Sequence, residues 1–104
     1  MPHVLDRLHG TIVSRRSADP AKSYTAKLLS EGVERCAKKF GEEALETALA
    51  AMKGDQAAIA AESADVLYHL MVLWAACGVE PAAVYAALEA REGRSGLEEK
   101  AGRG

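Results

Sequence analysis

Apolar positions along this chain recur at spacings of three and four, and no stretch alternates with a period of two. Alanine is abundant and β-branched runs are missing, so the pattern predicts helices throughout. A first helix is expected from Val4 to about Arg16, with Val4, Leu5, Leu8, Ile12 and Val13 on one side, ended by Ser17-Ala18-Asp19-Pro20. Ser23 can cap a short helix over Tyr24 to Ser30. A long helix follows from about Val33 to Met52, with an expected core stripe of Val33, Ala37, Phe40, Ala44, Ala48 and Met52. Gly41 inside it costs about 1 kcal/mol relative to alanine and could admit a close neighbour. Lys53-Gly54-Asp55 is a turn, after which Asp55 can cap a second long helix over about Gln56 to Ala76. Its expected inner side is Ile59, Ser63, Val66, Leu67, Leu70, Leu73 and Trp74. Gly78 closes it and Pro81 opens a last helix to about Glu89.

The pattern therefore reads as one all-α domain over residues 1–90, followed by a glycine-rich, charged and flexible tail over 91–104. The two long helices should fold back as a hairpin. Leu45, Leu49, Leu70, Met71 and Trp74 cannot all face one thin core, so two hairpins are expected to pair as a homodimer with a four-helix-bundle core. The competing arrangement is a monomer covered by the first and last helices.

Within that frame the acids become informative. Glu43 and Glu46 are three residues apart, as are Glu62 and Asp65. Glu46 and Glu62 are each eight residues from Gly54, and Glu43 and Asp65 are each eleven away. Folded about that turn, the four carboxylates fall in one band roughly 12 to 17 Å from it at ~1.5 Å rise per residue. Residues three apart share a helix face, and four facing acids repel unless a cation sits between them. A hard divalent cation such as Mg²⁺ fits oxygen ligands of this kind. Lys39 and His69 each lie fifteen residues from Gly54, at the far end of the band, which suits Mg²⁺ carrying a phosphate ester. Taken singly, each feature has an ordinary explanation. Helical glutamates are usually solvated, Lys38–Glu42 and Lys39–Glu43 make common ion pairs, His69 can be structural, and Tyr68 can be a core or interface aromatic.

Composition narrows the remaining classes. The chain of 104 residues is 49% apolar and 27% charged, which suits a small globular domain. A formal net charge of −2 gives no basic field for nucleic acid. The longest apolar run, Leu70 to Val79, is too short to span a bilayer, so no membrane association is expected. Met1-Pro2-His3-Val4-Leu5-Asp6 lacks a signal-peptide pattern, and a cytoplasmic location is expected, with Cys36 and Cys77 as reduced, buried thiols.

Lys39-Phe-Gly-Glu-Glu-Ala-Leu-Glu46 followed by Glu62-Ser-Ala-Asp-Val-Leu-Tyr-His69 resembles the phosphoribosyl-ATP pyrophosphohydrolases of histidine biosynthesis. Ser23-Tyr24-Thr25-Ala26-Lys27-Leu28-Leu29 and the order of segments over roughly residues 4–90 share that resemblance. The paired-acid pattern alone is common to the wider MazG-like all-α nucleotide pyrophosphatases. The resemblance implies an Mg²⁺-dependent homodimer that hydrolyses 1-(5-phosphoribosyl)-ATP to 1-(5-phosphoribosyl)-AMP and pyrophosphate. It implies metal ligation by Glu43, Glu46, Glu62 and Asp65, phosphate contact by Lys39, and substrate contacts by Tyr24, Lys27, Tyr68 and His69. Glu42 or Glu43 would orient or deprotonate the attacking water. Some relatives carry a fused cyclohydrolase; none follows here, so a separate protein is expected to take the next step. The rival functions are a house-cleaning (deoxy)nucleoside triphosphate pyrophosphatase and a non-catalytic helical dimerisation module. A di-iron bundle fits less well, since such sites use Glu-x-x-His and the second pair here is Glu62-x-x-Asp65.

Overall fold

The computed structural model describes residues 3–93. Five helices follow in order: α1 (Val4–Ser14), α2 (Tyr24–Glu31), α3 (Val33–Lys53), α4 (Gln56–Cys77) and α5 (Pro81–Arg91), and the described residues are all-α. Local chemistry sets the ends. Ser23 Oγ accepts the Ala26 N–H at 3.1 Å and Asp55 Oδ1 accepts the Ala58 N–H at 3.1 Å, each satisfying a donor that a helix start leaves unpaired. Gly54 and Gly78 close α3 and α4 in the left-handed conformation, both at φ 74°, where a side chain would be strained. Pro81 opens α5. Helix α1 stops at Ser14, two residues short of the expected Arg16, and passes into a turn. Of the tail expected over 91–104, residues 94–104 lie outside the described residues.

Helices α3 and α4 form the hairpin, with α1 against α4 and α2 against both. The core lies away from the hairpin turn, where Ile12, Leu28 and Cys36 pack on Met71, Val72 and Ala75. The Cys36 thiol donates to the Leu28 carbonyl at 3.3 Å, tying α3 to α2. Arg16 Nη2 donates to the Ala75 carbonyl at 2.6 Å, placing a cation on the negative end of α4. At the periphery Tyr85 Oη donates to Asp6 Oδ1 at 3.3 Å, joining α5 to α1.

The expected stripe on α3 is rotated. Phe40 and Ala44 are half-buried, but Val33, Ala37, Ala48 and Met52 are exposed, Met52 to 85%. The side turned inward runs through Cys36, Glu43, Thr47 and Ala50, which are buried or half-buried. The cause is that α3 carries two apolar stripes, and the one against α4 is the one that also carries Glu43. On α4, Leu67 is exposed, whereas His69, Met71, Val72 and Ala75 are buried. The far half of that helix is enclosed by α1, α2 and α3, so a one-sided pattern no longer describes it. A Cβ at Gly41 would meet nothing within 4 Å among the described residues, so that glycine admits no close neighbour there. Cys77 is exposed at the end of α4 rather than buried; Cys36 is buried as expected. Taken whole, the 22 residues of α4 are long and apolar enough to cross a membrane by length and composition alone, unlike the shorter uninterrupted run. Glu62 and Asp65 stand near its middle, where each would cost about 3 kcal/mol at a bilayer centre, and α4 is accordingly read as a hairpin helix.

Candidate metal centre and active site

The short turn at Gly54-Asp55 fixes the register of α3 against α4, and that register brings the acids together. Carboxylate oxygens of Glu43, Glu62 and Asp65 all lie within 4.8 Å of one another. Two oxygens on opposite sides of a Mg²⁺ ion stand about 4.2 Å apart, so the three need only small side-chain shifts to share one ion. Glu46 stands alongside, and its charge bears on both Glu43 and Glu62. The Glu43 carboxyl is held above the ordinary glutamate value first by burial, then by the charges of Glu46 and Asp65, with Lys39 opposing. Glu62 is raised by burial and then by Glu46 and Asp65. Its Oε2 is buried and has no hydrogen-bond partner among the described residues. An orphaned carboxylate oxygen among converging acids is the donor set a hard divalent cation satisfies. The residues therefore fit Mg²⁺, with Glu43, Glu62 and Asp65 converging and Glu46 alongside.

At the far end of the band stand the cation and the aromatic residues. Lys39 Nζ lies 3.4 Å from Glu42 Oε2, so this lysine pairs with Glu42 rather than with Glu43 as its spacing suggested. Its ammonium is held above the usual lysine value chiefly by the Tyr24 phenol, with desolvation opposing and Glu42 adding. His69 is buried on α4, its Nε2 3.9 Å from Glu43 Oε1. Burial, with the Lys39 charge, lowers its pKa below the usual histidine value, so the ring is neutral at pH 7 and needs no counter-charge. Tyr68 sits edge-on to it with centroids 5.0 Å apart, and Tyr24 stacks on Tyr68 at 6.5 Å and 20°. Tyr24 also meets the His69 ring edge-on at 6.0 Å. Lys27 lies on the exposed side of α2, one turn beyond Tyr24.

Two features of this region were not read from the sequence. The Thr25 and Tyr68 hydroxyls are hydrogen-bonded across 43 residues of chain. The only sequence signal for it was the position of Thr25 inside the Ser23–Leu29 stretch. The second is a cavity of about 360 Å³ that continues from Glu46 and Glu62 toward the turn, lined also by Leu49, Ala50, Lys53, Asp55 and Ala58. The sequence marks Lys53 as a turn residue and Asp55 as a turn and capping residue.

A band of acids between an aromatic, cationic end and a cleft is suited to gripping a polyphosphate ester through a metal. Known sequences match the chain along most of its length. The family model for phosphoribosyl-ATP pyrophosphohydrolase matches residues 5–92. The chain is 60% identical over 97 residues to the phosphoribosyl-ATP pyrophosphatase of Azospirillum brasilense, covering 93% of this chain and 87% of the relative. It is 59% identical over 101 residues to the enzyme of the same name from Cereibacter sphaeroides, covering 97% and 98% of the two chains. A third relative of that name, from Parvibaculum lavamentivorans, is 60% identical over 100 residues. With nearly its whole length matched on both counts, the chain belongs to the phosphoribosyl-ATP pyrophosphohydrolase family.

Proposed function

We propose that this chain hydrolyses 1-(5-phosphoribosyl)-ATP to 1-(5-phosphoribosyl)-AMP and pyrophosphate in histidine biosynthesis, using Mg²⁺ held by Glu43, Glu46, Glu62 and Asp65. Beside family membership, the observation that carries the metal assignment is the convergence of the Glu43, Glu62 and Asp65 oxygens from two helices. Bound there, Mg²⁺ would supply a Lewis acid to draw charge from the triphosphate oxygens. The protein supplies the rest. Lys39, on the same polar side, offers its ammonium to a phosphate oxygen, exchanging its Glu42 partner for a more highly charged one. The Tyr24 and Tyr68 rings and the neutral His69 give the purine and ribose a face to lie on, and Lys27 is the outermost cation on that side. Glu42, which pairs with Lys39, or Glu43, one of the converging trio, would orient the attacking water and take its proton. The water oxygen bonds to the α-phosphorus, and the α–β anhydride electrons leave with pyrophosphate.

The reading includes a homodimer and a cytoplasmic location. Leu45 is 61% exposed, Leu49 49% and Leu67 43%, and with Met52 they form the apolar side of the hairpin that a second copy would cover. The deciding experiment is pyrophosphate release with phosphoribosyl-ATP set beside a panel of ordinary (deoxy)nucleoside triphosphates, each with and without Mg²⁺. Strong preference for phosphoribosyl-ATP and loss of turnover in EDTA are expected. Equal turnover of free nucleotides would overturn the substrate assignment, and turnover in EDTA would overturn the metal assignment.

A further inference from the structure

The rings beside the acids are held by a residue that none of the assignments above includes. Tyr24 and Thr25 are neighbours in the first turn of α2, whose start is pinned by the Ser23 cap on the Ala26 N–H. They part in direction: Tyr24 is 51% exposed, whereas Thr25 is half-buried and its hydroxyl meets that of Tyr68 on α4. The contacts then run on without a break. Tyr68 stacks on Tyr24 and abuts His69 edge-on, and His69 approaches Glu43 on α3. Thr25 is thus the α2 end of a line of contacts that reaches the acids through α4.

We propose that Thr25 is a positioning residue for substrate, which through its hydrogen bond to the Tyr68 hydroxyl fixes the face formed by Tyr24, Tyr68 and His69 beside the acids. This rests on the reading that those rings touch the substrate. A tyrosine has two soft side-chain torsions, and a bond at the hydroxyl tethers the tip that those torsions would otherwise swing. Burial raises the Tyr68 pKa, so its hydroxyl keeps its proton at neutral pH and the bond persists. Without the tether the Tyr68 ring can leave the stack, and Tyr24 loses the neighbour that holds it at a 20° inclination. The substrate would then have to order that face on binding, which weakens binding without touching the groups that act at phosphorus.

The test compares T25V, T25S, Y68F, T25V/Y68F and Y24A, measuring KM and kcat for phosphoribosyl-ATP, melting temperature, and Mn²⁺ affinity by electron paramagnetic resonance. T25V and Y68F are each expected to raise KM about 5-fold, the worth of one neutral hydrogen bond, with kcat within about twofold. The double variant should be no worse than either single one, because both remove the same bond. T25S keeps the hydroxyl and should restore KM, and Mn²⁺ affinity should stay at the wild-type value in all. A merely structural tie between α2 and α4 would lower the melting temperature of T25V with KM unchanged, and that result overturns the proposal. Additive effects of T25V and Y68F would overturn it as well. Y24A reports on the underlying reading separately. An unchanged KM there removes the ring face from the substrate, whereas a raised KM in Y24A with none in T25V rejects Thr25 alone.

Discussion

Replacing Asp65 by asparagine should reverse the order of stability between variant and wild type when Mg²⁺ is added. Asp65 offers a carboxylate oxygen within 4.8 Å of one on Glu43. Two unit charges at that distance repel by about 0.9 kcal/mol in a water-like dielectric and about 3.5 kcal/mol at an effective constant of 20. Asp65 is exposed, so the lower figure applies. Without divalent metal, Asp65→Asn therefore relieves about 1 kcal/mol of repulsion, which for a domain of this size raises the melting temperature by roughly 4–8 °C. With metal the sign changes. At a Mg²⁺ concentration 100 times its dissociation constant, the wild type gains about 2.7 kcal/mol from binding. If losing one of the anionic ligands weakens the site ~100-fold, the variant gains only about 0.4 kcal/mol at the same concentration. The variant should melt above the wild type in EDTA and below it in saturating Mg²⁺. Differential scanning calorimetry of both proteins in the two buffers reads this directly. Parallel shifts, or a wild-type melting temperature indifferent to Mg²⁺ and Mn²⁺, would refute the common cation site.

Glu46→Gln keeps the shape and hydrogen-bonding reach of the side chain while removing its charge; circular dichroism should be unchanged and kcat should fall by about two orders of magnitude or more, as measured by pyrophosphate release. Leu49→Asp on the exposed apolar side of α3 should break the homodimer proposed above into monomers, read by light scattering coupled to gel filtration. His69 titrates with a lowered pKa in the folded state, so the unfolded chain binds its proton first as pH falls; stability should decline below about pH 6.5, and His69→Gln should lose that part of the pH dependence in denaturant titrations. Thiol reagents should label Cys77 at once and Cys36 only on unfolding, since one is exposed and the other buried with a raised pKa.

The elements were legible because their punctuation is local. Ser23, Gly54, Asp55, Gly78 and Pro81 act within a turn of their own positions, and each stands at the helix boundary its chemistry predicts. The meeting of the acids was legible for a related reason. Rise per residue is fixed, and a two-residue turn leaves little freedom of register, so equal distances from Gly54 become equal heights along the hairpin. Rotation about the helix axis is a different matter. Leu45, Leu49 and Met52 form as good an apolar stripe as any on α3, yet they face outward, while the inner side carries Glu43 and Thr47. A hydrophobic pattern records that a side is to be covered, not whether the cover comes from the same chain or a second copy. That is why the expected stripe was rotated, and why the same rotation leaves an apolar side for the partner proposed above. The Lys39 pairing differs on a finer scale, since positions three and four residues on are nearly equidistant on a helix. Thr25 and Tyr68 meet only because α2 lies across α4, and no spacing along 43 residues of chain encodes that crossing. The division has a physical consequence for the site. The features set by local rules place the charges that would bind the metal, and the features set by tertiary packing place the groups that would select what the metal carries.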